Sequence, residues 1–372
     1  MHPISIADLR AAARKRLPRF VFDYLDGGSD DEVSLAGNRA AFAGLRLLPR
    51  GLVDVSVRDT GTDWAGGRLP APLIVAPTGM NGLFWRNGDI ALAKAARRHG
   101  LPFTLSTASS DSLEEVAREA GGDIWFQLYV MDRRIADGLV DRAEAAGCSH
   151  LVLTVDVPVG GLRERDRRNG FAAPFRLTPR LVADVLTHPH WLMQIGLHGA
   201  PPMGNLEALA AADPVARAAL LSRAMDASFG WDDLKRLRER WPRRLIVKGL
   251  LDPEDVARAE AIGVDAVVLS NHGGRQLDGA PAPVTLLPAA RARSTLPLVV
   301  DSGIRRGSDV VKAIALGASA VMLGRAVLYG LAADGEDGAF TAIALIREEI
   351  DRTLALAGRA SLADLSPSMV LT

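Results

Sequence analysis

The chain has 372 residues, of which 48% are hydrophobic and 24% charged, and its 44 basic residues balance 44 acidic ones. Zero formal net charge removes the basic footprint of a nucleic-acid binder, and a single cysteine, Cys148, excludes an intrachain disulfide framework and points to a reducing compartment. No run approaches the ~18 uninterrupted apolar residues of a membrane span, and the first twenty residues lack the apolar stretch of a secretory signal.

Residues 1–70 read as N-terminal helices that cap the body of the protein. Apolar runs then recur, each closing in a polar or glycine-rich turn: 72–79, 103–109, 124–129, 150–156, 244–249, 266–274, 297–303 and 320–326. Their near-continuous hydrophobicity suits parallel strands buried on both faces. Helical patterns alternate with them, at Gly88–His99, Ser112–Ala120, Ile135–Ala146, Trp231–Arg240, Pro253–Ile262, Val284–Arg293 and Ser308–Leu316. A last one, Gly338–Ala357, falls in a helical C-terminal segment, 327–372. Eight strand–helix units in order predict an α/β fold, a (β/α)8 TIM barrel over 72–326. The 87 residues between Asp156 and Arg244 exceed any connecting helix, so the fourth βα loop carries a long insertion, 157–230. The whole chain, 1–372, reads as a single elaborated domain.

Barrel enzymes keep their chemistry at the C-terminal strand ends. Here those ends offer Thr78, Ser106, Gln127 with Tyr129, Thr154 with Asp156, Lys248, His272 with Arg275, Asp301 and Arg325. Buried polar groups without partners are costly, so a barrel built only for stability has no use for this set. The turns DSGIRRGSD (301–309) and LGRA (323–326) form a candidate anion site. Gly303, Gly307 and Gly324 admit a close backbone approach, and Arg305 or Arg325 can grip phosphate oxygens. No GxGxxG, GxxxxGK or HExxH occurs, so a Rossmann site, a P-loop and a metal site are unsupported.

His272, in SNHGGRQLD, is the candidate general base, with Asp156 able to orient it and stabilise its protonated form. His99, His188, His190 and His198 read as structural or exposed. Arg163, in LRERD, can join Arg275 in a carboxylate clamp, or can belong to a solvated charge run. Lys248 closes an apolar strand, where a fixed cation beside an electron sink is the sharper reading.

Together these motifs resemble the FMN-dependent 2-hydroxy acid oxidases and dehydrogenases. The likeness runs from FDYLDGG (22–28) through APTGMNG, LSTAS, WFQLYV, TVD, RERD, VKG, SNHGGRQLD and DSGIRRGSD to LGRA. PTGMNG, LSTAS, SRAMDASFGW (222–231) and IDRTLALAG (350–358) resemble the mandelate-oxidising branch. The resemblance implies FMN as cofactor and an (S)-2-hydroxy acid such as mandelate as substrate. Lactate oxidation, or an aryl 2-hydroxy acid oxidase activity, is the alternative, and a catalytically silent flavin barrel is the rival of another class. It further implies His272 as proton acceptor supported by Asp156, with Tyr129 and Arg275 completing the catalytic group. Arg163 and Arg275 would hold the carboxylate, and Tyr24 and Tyr129 would hydrogen-bond the substrate. Thr78, Gly79, Ser106, Gln127, Thr154 and Lys248 would surround the flavin ring, Asp301 the ribityl chain, and Gly303, Arg305, Gly324 and Arg325 the phosphate. A membrane quinone or other electron acceptor and a homotetramer are implied partners.

Three positions depart from the common pattern: Val159 stands where arginine is common, Gly79 where alanine is, and Ala108 where glycolate oxidase has tryptophan. Loss of that indole would leave room for an aryl group. Within the insertion, 171–205 is rich in apolar residues and poor in charge, so it can lie in a bilayer interface. An active-site lid or a subunit contact would also bury these side chains. In the mandelate-oxidising branch the corresponding segment is a membrane anchor, implying a peripheral position on the cytoplasmic side of the inner membrane, or else a cytoplasmic one.

Overall fold

The eight apolar runs become strands β1 (Leu73–Val75), β2 (Phe103–Ser106), β3 (Ile124–Leu128), β4 (His150–Thr154), β5 (Arg244–Leu250), β6 (Ala266–Leu269), β7 (Leu298–Val300) and β8 (Ala320–Leu323). In this computed structural model, which describes residues 3–64, 67–171, 178–206 and 225–371, all eight are parallel. They close in chain order, β8 returning to β1 through Val321 opposite Leu73. The predicted (β/α)8 barrel is therefore what forms.

Side chains alternate along each strand. Ile74, Trp125, Val152, Ile246, Val268, Val299 and Met322 fill the barrel interior. Their neighbours, such as Leu73, Val75, Leu151, Leu153, Val267 and Leu269, face the surrounding helices. Fully burying each such side chain is worth ~1.5–3 kcal/mol. A small hairpin, Thr62–Trp64 against Gly67–Leu69, sends Trp64 and Leu69 into the interior cluster at the floor of the barrel.

The helices start where their capping residues stand. Leu113–Ala120 opens on a reciprocal Ser112–Glu115 capping box, and Pro253–Ile262 on the Asp252 side chain with proline in the first turn. The stretch Arg325–Leu356 is helical in two pieces, the predicted Gly338–Ala357 pattern falling in the second and the first going unpredicted. Asp334 and Gly335 break it with non-helical backbone. A Cβ on Gly335 would lie 2.5 Å from the Trp85 indole, so only glycine admits the ring there.

The N-terminal helices Ile6–Arg16, Arg19–Asp26 and Val33–Gly44 cap the barrel as the sequence predicts, the first lying along the long last helix. The second ends over the barrel mouth. Its last carbonyls, which have no partner within the helix, accept hydrogen bonds from strand-end arginines. Arg275 reaches Tyr24 O (2.8 Å) and Gly27 O (3.0 Å), and Arg325 reaches Leu25 O (3.1 Å) and Gly27 O (2.7 Å).

Of the insertion, the structure describes the helices Glu164–Arg168, Pro179–Leu186 and Pro189–His198. Residues 172–177, Arg176 among them, 207–224 and the Arg180 side chain lie outside the described residues. Trp191 anchors the third helix, its indole N–H donating to Leu83 O at 2.8 Å and its ring meeting Phe20 edge-on at 5.6 Å. Val182, Leu186, Met193 and Leu197 remain exposed. Among the described residues no helix is long and apolar enough to cross a membrane.

Candidate active site

Parallel register sets the polar strand ends side by side: Ser106 lies opposite Gln127, and Thr154 opposite Lys248. They border a cavity of about 650 Å³ lined by Thr78, Ser106, Tyr129, Lys248, His272 and Arg275 among others. That volume is typical of small-molecule and cofactor sites.

His272 follows β6 in left-handed backbone (φ 57°), uncommon outside glycine, and the Ser270 hydroxyl accepts its N–H at 3.0 Å. Its Nδ1 lies 2.8 Å from Asp156 Oδ1, so the N–H sits on that nitrogen and donates to the carboxylate. Nε2 is left as the acceptor, and the Tyr129 hydroxyl donates to it at 3.2 Å. Burial opposes charge on Asp156, but the His272 ring and the Lys248 ammonium outweigh it and hold the carboxyl below its ordinary range. Tyr129 is pushed up by burial and by Asp156, so its hydroxyl keeps its proton.

Lys248 is buried, and its Nζ donates to Ser270 Oγ at 2.9 Å and pairs with Asp301 Oδ2 at 3.1 Å. Burial disfavours the ammonium, yet Asp301 and Asp156 more than offset it and raise its affinity for the proton. Lys248 therefore stands as a fixed cation at the mouth. Ser302 donates to Asp301 Oδ1 (2.7 Å) and accepts from Gly273 N (3.0 Å), tying the β6 and β7 loops together.

At the β7–β8 end, Arg305 donates to Ile304 O at 2.8 Å with its guanidinium 5.5 Å from the Tyr329 ring. The Arg325 fork is turned to backbone carbonyls, Gly273 O at 2.8 Å besides those of Leu25 and Gly27. Burial, reinforced by Arg275 and Arg305, pushes this guanidinium down to about 9. A Cβ on Gly324 would meet nothing closer than Ala76 Cβ at 4.0 Å, so the turn is an open cradle. Two further polar atoms at the strand ends, Gln127 Nε2 and Thr154 Oγ1, are buried without a hydrogen-bond partner among the described residues. Unsatisfied buried donors of this kind fit a polar-edged ring that completes them.

Across the mouth, Arg163 and Arg275 lie over the Tyr24 ring at 5.4 and 5.0 Å. Tyr24 stacks on Phe171 of the insertion at 4.5 Å with an 11° tilt. Gly79 and Ala108 touch on the opposite wall, where a Cβ on residue 79 would come within 3.0 Å of Ala108 Cβ. Val159 is exposed.

The sequence-predicted site residues thus lie at the C-terminal mouth except Gly307, whose N–H is taken by Glu349 Oε2 at 2.7 Å and whose close approach is to the Ile350 backbone of the last helix, not to the cavity. Ser270, Ser302 and Asp166 join them without a sequence-level signal of their own beyond lying one or two residues from a strand end or in the RERD run. Of the other histidines, His99 is buried with Nε2 at 3.0 Å from Phe340 O, while His190 and His198 are exposed. Among the described residues no acidic, histidine or cysteine cluster is arranged to hold a metal.

Comparison with known proteins places the whole chain in a family. The profile of FMN-dependent dehydrogenases matches residues 13–372. An (S)-mandelate dehydrogenase of Pseudomonas putida is 49% identical over 363 residues, covering 98% of this chain and 92% of the relative. An L-lactate dehydrogenase of Pectobacterium atrosepticum is 42% identical, covering 96% and 94%. Among solved structures, that of the monotopic membrane protein (S)-mandelate dehydrogenase superposes with a TM-score of 0.96 at 48% identity over 100% of both chains. The open glycine turn, the buried cation and the histidine–carboxylate pair sit on a full-length family match, and the chain belongs to the FMN-dependent dehydrogenase family.

Proposed function

We propose that the chain oxidises (S)-mandelate, or a closely similar aryl (S)-2-hydroxy acid, to the 2-oxo acid. The observation that carries this reading is His272, held by Asp156 on one side and Tyr129 on the other, in a cavity that also holds Arg163, Arg275 and Lys248. When bound, FMN supplies the acceptor for the two electrons that leave the substrate's α-carbon. Thr78, Gly79, Ser106, Gln127, Thr154 and Lys248 would surround its ring, Asp301 its ribityl chain, and Gly303, Arg305, Gly324 and Arg325 its phosphate. Because the Arg325 fork is committed to carbonyls, its part would be to shape the Gly324 cradle and add positive field.

Arg163 and Arg275 would bind the substrate carboxylate, with Tyr24 and Tyr129 hydrogen-bonded to carboxylate or hydroxyl. That grip would orient the reacting carbon toward His272 Nε2. His272 takes the proton from the α-carbon or hydroxyl, and Asp156 stabilises the imidazolium that results. The Gly79–Ala108 wall leaves room for an aryl group, and the match to a mandelate dehydrogenase at 49% identity favours mandelate over lactate. The membrane-facing role rests on the exposed apolar residues Val182, Leu186, Met193 and Leu197 and on the relative described as monotopic. On this reading the enzyme lies peripherally on the cytoplasmic face of the inner membrane, passes electrons to a quinone, and forms a homotetramer.

Flavin bleaching by a panel of (S)-mandelate, L-lactate, glycolate and long-chain 2-hydroxy acids tests the substrate. Mandelate should bleach fastest, whereas faster bleaching by lactate would make this a lactate dehydrogenase and no bleaching a silent flavin barrel. Replacing residues 175–202 by a short polar linker should move the enzyme from membrane to soluble fraction with flavin reduction intact. Sedimentation of the unaltered enzyme apart from anionic vesicles at low salt would refute the membrane contact. Light scattering reads the subunit number.

A further inference from the structure

The carboxylate clamp already contains an anion. Asp166, on the short helix Glu164–Arg168 of the insertion, is buried and lines the same cavity as Arg163, Arg275 and Tyr24. Its Oδ2 lies 3.4 Å from Arg163 Nε, yet it accepts no hydrogen bond among the described residues. A structural buried carboxylate ordinarily collects two or three donors. This one pairs with a guanidinium at 3.4 Å without a hydrogen bond to it. Among the described residues the Arg163 side chain has that ion pair and the face of Tyr24, and it is 34% exposed.

From this geometry we infer that Asp166 is an internal counter-anion of the Arg163–Arg275 pair, which competes with the substrate carboxylate and sets how tightly the site holds carboxylic acids. The inference rests on the proposed carboxylate role of the two arginines. Two guanidinium charges against one carboxylate leave a surplus of one positive charge, matched to one monocarboxylate ligand. Without Asp166 the clamp would carry two uncompensated charges and would hold substrate and 2-oxo acid product alike more tightly. Binding both equally does nothing for the chemical step and delays product release.

Other charges act on Asp166 as well. Arg165 stands on its own helix and Asp23 on the Arg19–Asp26 helix, and His272 faces the same cavity. Arg165 is engaged elsewhere, with Asp26 and Glu32. Burial raises the Asp166 carboxyl against the pull of Arg163 and Arg275. Protonation at the acid end would therefore remove the competing charge.

The probe is phenylacetate, an aryl carboxylate with no hydroxyl to oxidise, titrated into the FMN-loaded enzyme by its effect on flavin absorbance, with uncharged phenylacetamide as control. At pH 8, Asp166→Asn should bind phenylacetate about tenfold more tightly, or better, and phenylacetamide unchanged. The same substitution should lower KM for mandelate and tighten inhibition by the 2-oxo acid. Asp166→Ser gives the same reading should the amide fold poorly. A merely structural Asp166 would shift both probes together, and unchanged or weaker phenylacetate binding overturns the inference. Arg163→Met and Arg275→Met separate the two levels. If both lose phenylacetate while Asp166→Asn gains nothing, the inference alone fails, and if neither loses it the carboxylate assignment fails with it.

Discussion

At the floor of the barrel His150 lies on Trp125, with ring centroids 4.1 Å apart and Trp64 at 6.4 Å. Burial pushes its imidazole down to about 4, and the nearby Asp123 only partly counters this. At the mouth, His272 is also shielded, but its Nδ1 meets a charged carboxylate at 2.8 Å and its Nε2 opens toward the cavity. The two histidines sit at opposite ends of one packed barrel interior. The side chain is identical and the neighbours differ: burial beneath two indoles disfavours the charged form of His150, whereas a carboxylate orients the His272 ring. The mouth also buries a carboxyl group away from the chemistry. Asp89 Oδ1 accepts from Asn81 Nδ2 (2.7 Å) and Oδ2 from the backbone of Ser110 (2.9 Å) and Asp111 (3.2 Å), binding the β1 and β2 loops together.

The largest expected difference between the two ends is in rate. His272→Ala should retain FMN yet lose at least ~10²–10⁴-fold in flavin reduction by substrate, read by stopped-flow absorbance. His150→Ala should leave that rate intact in the folded fraction while costing ~2–4 kcal/mol of stability through the cavity beneath Trp125. A floor variant with the larger kinetic defect would dissolve the comparison.

Substrate choice should respond next. Ala108→Trp would fill the space beside Gly79 and should depress kcat/KM on mandelate about tenfold more than on lactate or glycolate, since a displaced aryl group forfeits ~2 kcal/mol of burial. Equal losses on all three would move the aryl pocket elsewhere.

The smallest effect is on stability against pH, and it has opposite signs at the two sites. His150 is lowered on folding, so its contribution is fully present above about pH 6.5 and is lost as pH falls toward about 4. Asp89 is raised to about 7, chiefly by burial and then by Asp111, so its contribution is present below about pH 4 and is lost as pH rises to about 7. Thermal melts of the holoenzyme from pH 4 to 8 should show His150→Gln flattening the acid-side loss and Asp89→Asn the loss toward neutrality. Each change should be on the order of 1–3 kcal/mol. A single slope unaffected by either substitution would assign the titration to other groups.

The amino-acid sequence by itself determined the barrel. Strands buried on both faces must be apolar throughout, and capped helices announce their ends, so the eight strands and the helices between them are legible near their observed bounds, whereas the helical piece opening at Arg325 and the insertion helices are not. The polar strand ends were legible for the same reason, since a polar residue closing an apolar run has no packing purpose. The tertiary structure alone decided what each polar group faces. Arg275 and Arg325 both read in the sequence as strand-end arginines for an anion. In the fold Arg275 gives one nitrogen, Nη1, to the carbonyls of Tyr24 and Gly27, and the Arg325 fork takes those of Leu25 and Gly27, because a helix about 250–300 residues away in the chain ends over the mouth. Asp166 sits in a run that reads as solvated charge, RERDRR, and is buried only because the insertion folds back toward Tyr24 through Phe171. The kink at Gly335 likewise depends on where Trp85 lands. Periodicity is a local property of the chain, whereas the partner of a buried charge is fixed by elements distant in sequence and is not encoded at either residue alone.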